Sequence, residues 1–332
     1  MRNPLFGFVT IAALALGVFA APVDGVADDR KVWKVGILWH AANLEEEAVM
    51  AGPLTQGLRE LGYVEGRNLV LEHTFVDEKY DLFPARAKEL LDRKVDLILA
   101  SVSAAAVAAA KLTKDVPIVF ATSAGDPVKF GLVESIRRPG GNVTGLTLFA
   151  AEMTQKHLDL LHEIVPGLTR VAILWNTANS DHPSILKSAE QSAASRNLKI
   201  VPVSAKGPEE FDAAFAAIEK AEVGGLIVLV DSMLRVNRKP IVAFAARSRL
   251  PSVYATRDYV EAGGLIAYGA CVPCNFKRSA AYIADIFKGA KPAEMPVQQP
   301  AKFDTLINLK TAKLLKIDVP PSVLLRTDEV IE

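Results

Sequence analysis

The chain has 332 residues, half of them apolar (50%), and its 38 basic residues balance its 38 acidic ones. That length accommodates about two domains with a full core in each. A formal charge of zero removes the electrostatic case for nucleic acid or an anionic membrane surface as partner.

Met1-Arg2 gives a basic start, Phe6 opens an apolar run that reaches Ala21, and Gly25-Val26-Ala27 offers small residues for cleavage. The layout predicts a secretory signal peptide over 1–27. The competing reading is an uncleaved anchor, but the run is short of the roughly 20 residues a spanning helix needs. No cysteine near the cleavage point supports a lipid anchor, and no later run reaches spanning length. The mature protein is therefore expected to be soluble, periplasmic and monomeric.

Beyond the signal, short apolar runs alternate with helical patterns in two successive series. The first holds runs at 34–39, 68–75, 95–100 and 116–121. Val95-Asp96-Leu97-Ile98-Leu99-Ala100 and Pro117-Ile118-Val119-Phe120 do not alternate, which suits strands buried on both faces of a parallel sheet. Leu54, Leu58 and Leu61, then Phe83, Ala87, Leu90 and Leu91, are spaced for one buried helical face each. Arg138-Pro139-Gly140-Gly141-Asn142-Val143-Thr144-Gly145-Leu146-Thr147 reads as the passage to the second series. That series opens on Val171-Ala172-Ile173-Leu174-Trp175-Asn176, much as the first opens on Val35-Gly36-Ile37-Leu38-Trp39-His40. Its further runs fall at 198–203, 225–230 and 251–255. Gly263-Gly264-Leu265-Ile266-Ala267-Tyr268-Gly269 is read as the return crossing, a helix over 275–288 as packing back on the first lobe, and the Pro-rich 291–300 as a third crossing. The expected organisation is an α/β protein with one lobe at 32–145 plus 270–290 and another at 146–269 plus about 291–332. Gly140, Gly141, Gly145, Gly263 and Gly264 are the expected hinge positions, since glycine absorbs dihedral change.

In open α/β sheets ligands bind beyond the carboxyl ends of the strands. That rule selects His40 and Asn43, Ser101 and Ser103, Thr122, Ser123 and Asp126 in the first lobe. In the second it selects Trp175, Asn176, Asn179, Asp231, Tyr254 and Asp258 as ligand-binding candidates. Ser101 and Ser103 precede an Ala-rich helix, where a hydroxyl and free N–H groups can hold a carboxylate. Asp126 or Asp231 can take an ammonium, and Trp175 and Tyr254 can cover an apolar body. The blander readings are a helix cap for Ser103, a turn for Asp126-Pro127 and core positions for the tryptophans and for His157. His157 and His162 do not share a helix face, so no metal site is expected there. Cys271 and Cys274 are the only cysteines. They can close a local disulfide, remain two free thiols, or form a redox pair at a helix start.

Nucleophile-elbow, zinc-hydrolase, Walker-type and dinucleotide fingerprints are all missing. The expectation is a binding protein with no cofactor and no catalytic residue. Two further readings remain: a ligand-sensing module for a membrane receptor, and a periplasmic enzyme using Asp126 or Asp231 as acid or base.

Several segments carry a family resemblance: Gln56-Gly57-Leu58-Arg59-Glu60-Leu61-Gly62-Tyr63-Val64-Glu65-Gly66-Arg67-Asn68, Gly125-Asp126-Pro127-Val128, the Arg138–Thr147 stretch, Val260-Glu261-Ala262-Gly263-Gly264-Leu265 and Ile307-Asn308-Leu309-Lys310-Thr311-Ala312-Lys313. Over 34–332 the chain resembles the exported substrate-binding proteins of ATP-binding-cassette importers, in the group described as tryptophan/tyrosine-type or uncharacterised. The resemblance implies a type I periplasmic binding fold, two Rossmann-like lobes with parallel sheets joined by three hinge crossings. It also implies closure on a small polar solute, such as an amino acid or a related molecule, and delivery to permease subunits in the inner membrane.

Overall fold

The computed structural model of the protein describes residues 31–300 and 302–332. The expected signal segment at 1–27 lies outside them. The first series folds as β1 (Trp33–Trp39), α1 (Ala48–Glu60), β2 (Leu69–Phe75), α2 (Phe83–Asp92), β3 (Leu97–Ala100), α3 (Ser103–Leu112), β4 (Ile118–Ser123) and β5 (Val143–Thr147). The chain continues through α4 (Ala150–Ile164), β6 (Arg170–Trp175), α5 (His182–Ala194), β7 (Lys199–Ser204), α6 (Phe211–Lys220), β8 (Gly225–Val228), α7 (Ser232–Val236) and α8 (Arg238–Arg247). It ends with β9 (Ser252–Tyr254), α9 (Arg257–Glu261), β10 (Ile266–Ala270), α10 (Val272–Phe287), β11 (Phe303–Asn308), α11 (Leu309–Leu315), α12 (Pro321–Leu324) and β12 (Glu329–Ile331).

The architecture is α/β, with two sheets. The first has the order β2-β1-β3-β4-β5 and the second β12-β11-β10-β9-β8-β6-β7. Every pairing in the first sheet is parallel. In the second only the β10–β11 pair is antiparallel. Strands β3 and β4 are buried along their whole length, as continuous apolar runs between two helical layers require. One face of the first sheet packs Leu54 and Leu58 of α1 against Phe276, Ala280 and Ile283 of α10. Its other face takes α2 and α3. The second sheet is covered by α4 and α5 on one side and by α6 and α8 on the other.

The chain passes between the sheets after β5, after β10 and before β11. These points differ from the glycine-rich stretches read as crossings. Gly263–Gly269 leads into β10, an interior strand that pairs with β9 and β11; the passage itself begins beyond Ala270. Pro292 to Gln298 runs along the first sheet, not the second: Thr144 Oγ1 donates to the Met295 carbonyl at 2.7 Å, and the Gln298 amide donates to the Gly145 carbonyl at 2.9 Å. The Gln298 bond, with the Thr147 amide donating to the Gln298 carbonyl at 2.9 Å, pairs part of the open edge of β5, and Val297 buries its side chain in the same core. Cys271 and Cys274 form a disulfide at the start of α10. Among the described residues no helix is long and apolar enough to cross a membrane.

Candidate functional site

Parallel strands in both sheets aim their carboxyl ends at a common cleft, and the loops there enclose a cavity of ≈ 70 Å³. A water needs about 10–15 Å³ on this measure, so the space suits a compact solute and excludes an oligomer. First-lobe side chains reach it from the end of β1 (His40), the β3–α3 turn (Ser101, Ser103), the end of β4 (Thr122) and the loop after β2 (Tyr80). The second lobe contributes Asn179 and Asp181 after β6, Asp231 and Arg235 at α7, and Thr256 and Tyr259 at α9. Leu148, Leu229, Val230, Val272 and Phe276 add apolar walls.

Asp231 is the best-anchored of these groups. Its Oδ1 caps α7 by accepting from the Leu234 amide at 3.0 Å. Its Oδ2 accepts from Asn179 Nδ2 at 2.9 Å, and Asn176 Nδ2 lies 3.3 Å from both oxygens. Asn176 is therefore a support for Asp231 behind the cavity. Opposite, Asp181 accepts at one oxygen from Ser103 Oγ at 2.7 Å and from the Gly125 amide at 3.0 Å, which ties the second lobe to the first. Ser103 thus reaches across the cleft instead of capping α3. His40 Nδ1 lies 3.2 Å from Ser101 Oγ. Its Nε2 is 3.1 Å from Glu47 Oε1, without the alignment of a hydrogen bond.

Burial sets the protonation states. It draws His40 down to about 3, with help from the Arg235 charge, and lifts Glu47 to about 7. Glu78 is pushed up to about 9, first by burial and then by the charges of Asp231 and Glu47. At neutral pH His40 and Glu78 are thus both uncharged. Arg235 is tied to Asp258 at 3.1 Å. Glu78 is the source of one expected result. A carboxyl whose folded value lies above its unfolded one loses stability as pH rises from the unfolded to the folded value. The Glu78 contribution should therefore decline between about pH 4.5 and about pH 9. His40 acts oppositely, costing stability as pH falls from 6.5 toward about 3. Melting curves at pH 5, 7 and 9 should show Glu78→Gln gaining most on the native protein at pH 9; an unchanged pH slope would refute the assignment.

Of the residues selected from sequence, the structure gathers His40, Ser101, Ser103, Thr122, Asn179 and Asp231 on the cavity. Thr122 commits its hydroxyl to the Ser101 carbonyl at 2.6 Å. Ser123 is buried just behind, 2.9 Å from Ser103 Oγ. Asn43 and Asp126 stay exposed: Asn43 bonds Glu46, and Asp126 closes a turn onto the Val128 amide, the bland reading given for it. Trp175 packs its ring edge-on to His182 against the second core. Tyr254 is fully buried and stacks on Tyr259, because β9 turns that side chain into the core. Asp258 sits at the cleft mouth as partner of Arg235. Gly140 and Gly141 are exposed at the amino end of β5, Gly263 and Gly264 precede β10, and Gly145 is buried inside β5 opposite Phe120. All five lie away from the passages between the sheets. His157 is a core residue, bonded to the Tyr268 carbonyl at 2.6 Å and lowered by burial to about 4.

Sequence reasoning missed Glu47, Glu78, Tyr80, Asp181, Arg235 and Tyr259. Glu78 and Asp181 follow β2 and β6 closely enough for the strand-end rule to reach them if it is extended by a few residues. Tyr80 follows in the same loop after β2, Glu47 sits in the turn just before α1, and Arg235 and Tyr259 lie on short helices with no local signal.

Residues 40–331 match the family model described as ABC transporter substrate binding protein. A tyrosine-binding protein of Clostridioides difficile (strain R20291) is 25% identical over 261 residues, covering 78% of this chain and 74% of that protein. A crystal structure of a conserved domain protein from Vibrio cholerae superposes with a TM-score of 0.83 at 26% identity, covering 90% of this chain and 100% of the other. A Streptococcus pneumonia ABC domain in complex with L-Trp superposes with a TM-score of 0.81 at 23% identity, covering 91% and 100%.

Proposed function

The chain belongs to the ABC transporter substrate-binding proteins, and we propose that it is the exported, periplasmic capture component of an importer. It closes two lobes on a small polar solute, an amino acid or a related molecule, and hands it to a permease. One observation carries this reading. Three residues that line the cavity between the sheets carry a buried polar atom with no hydrogen-bond partner among the described residues: Asp181 Oδ1, Thr256 Oγ1 and Tyr259 Oη. Native proteins rarely leave such atoms unpaired, because each costs about 1–3 kcal/mol. A bound solute would satisfy them. The relatives that bind tyrosine and L-Trp support a solute of amino-acid size.

Closure would turn on the three short passages, at 148–149, at 271 and ahead of β11, and the permease would read the ligand's preference for the closed state. Native mass spectrometry of the protein purified from its own cells should reveal a small bound molecule. Adding that molecule at about a hundred times its Kd should stabilise the fold by about 2.7 kcal/mol. Recovery of the molecule chemically altered would sink the capture reading in favour of an enzyme.

A further inference from the structure

The cavity between the sheets shares walls with two larger spaces outside it. On one flank Met50, Arg235 and Val272 stand between it and a basin of ≈ 390 Å³, whose far walls carry the charges of Arg238, Asp258 and Asp304. On the other flank lies a groove of ≈ 360 Å³ between α2 and α3, and the residues common to both spaces are Tyr80 and Ala104. Pro84, Val107, Ala108 and Leu112 give this groove apolar walls, with Asp81 and Lys111 beside them. An alanine reaches no further than its Cβ, so Tyr80 is the side chain that fills the way through. Its place is fixed from several directions. Asp77 and Glu78 turn the chain after β2 with left-handed backbone, φ 51° and 57°. Their amides donate to the Ala41 and His40 carbonyls at 3.1 and 2.7 Å. Left-handed backbone is unfavourable for a residue with a Cβ and persists where its surroundings impose it, often at ligand clamps. The Tyr80 ring leans on Phe83 at a centroid distance of 5.4 Å, and Phe83 is itself buried in the first lobe. Burial, and then the charge of Asp231, raise the Tyr80 hydroxyl well above its ordinary value, so the wall stays neutral.

Building on the capture function proposed above, we infer that Tyr80 determines specificity: its ring is the stop that limits how far the apolar end of a solute reaches toward the α2–α3 groove. The solute class that follows is one whose apolar part is short enough to end at that ring. An apolar end directed the opposite way, past Met50, would meet the charged basin, so the Tyr80 flank is the one that suits it. Each methylene buried in the cavity should raise affinity about fourfold. Once the chain touches the ring, a further methylene has to displace a packed side chain or stay in water, and the gain turns into a loss. Removing the ring would join the cavity to the groove and let the gain continue.

The test is calorimetry with straight-chain amino acids of increasing length: alanine, 2-aminobutyrate, norvaline, norleucine and 2-aminooctanoate. The native protein should show an optimum length, with affinity falling at least tenfold from the optimum to 2-aminooctanoate. Tyr80→Ala should move the optimum by two or more methylenes and bind 2-aminooctanoate at least tenfold more tightly than the native protein does. Tyr80→Phe keeps the ring, so whatever it does to the absolute affinities it should keep the native optimum. If Tyr80→Ala melts too early to be measured, Tyr80→Leu provides the second reading. It retains apolar contact with Phe83 but falls short of the ring's reach, and should move the optimum by at least one methylene. The same optimum in the native protein and in the shortened variant would overturn the inference and leave solute capture standing. An equal shift in Tyr80→Phe would also overturn it. So would native affinity that keeps rising to the longest member, or a series of which no member binds. Capture itself fails on a separate finding, a native protein that retains no small molecule.

Discussion

Asp231→Ala is expected to weaken solute binding at least tenfold and, at the same time, to lower stability by about 2–4 kcal/mol. The stability loss has two sources. The Leu234 amide at the start of α7 loses its cap, typically about 1–2 kcal/mol. The Asn176 and Asn179 amides lose their shared acceptor, and an unpaired buried donor costs about 1–3 kcal/mol. Relief of Glu78, which the Asp231 charge pushes toward protonation, returns part of this above neutral pH. Asp231→Asn separates the roles in part: it keeps an oxygen for the cap but turns an amide toward Asn179 Nδ2, so stability should fall by less than in Asp231→Ala while the charge is lost. Denaturant titration and calorimetry on both variants check this. An Asp231→Ala protein with unchanged affinity would remove Asp231 from the site.

Gly269→Ala should cost about 3 kcal/mol or more, at the upper end of overpacking penalties. A Cβ on Gly269 would lie 1.8 Å from the Ala255 carbonyl oxygen and 2.9 Å from its carbon. Both are backbone atoms, which cannot swing aside as a side chain can. Strand β10 would have to move off the chain leaving β9, where the second lobe contributes Ala255 and Thr256 to the cavity. The change should therefore reduce affinity as well. Gly52→Ala is the control. A Cβ there meets nothing within 4 Å, and alanine is preferred within a helix by about 0.5–1 kcal/mol. Thermal melts should move in opposite directions for the two variants; a Gly269→Ala protein as stable as the native one would contradict the packing described.

The repeat of apolar run and helical stripe was enough to read two α/β lobes, because β3, β4 and β8 are continuous apolar runs that no surface element would carry. The strand-end rule found His40, Ser103 and Asp231 for the same reason: in a parallel sheet the residue after the run faces the cleft. Its failures have physical causes. β9 has three residues, all buried, so its last position, Tyr254, falls in the core instead of the cleft. Glycine-flanked strands such as β5 and β10 look like linkers in sequence, since glycine serves close strand packing as readily as bending. Gly145 illustrates this: an added Cβ would strike the Phe120 carbonyl at 2.1 Å. Arg235 and Tyr259 enter the site from short helices whose pattern is indistinguishable from an ordinary amphipathic turn.

The order in which the chain visits its two sheets limits how such proteins can be recombined. The first core closes only when Phe276, Ala280 and Ile283 arrive from α10, and the second sheet waits for β11 and β12 at the far end of the polypeptide. A chimera made with relatives at one breakpoint therefore transplants neither lobe whole, and leaves mismatched apolar faces in both. Exchanging a lobe intact takes paired breakpoints at the short passages, with the intervening α10 travelling alongside the amino-terminal third.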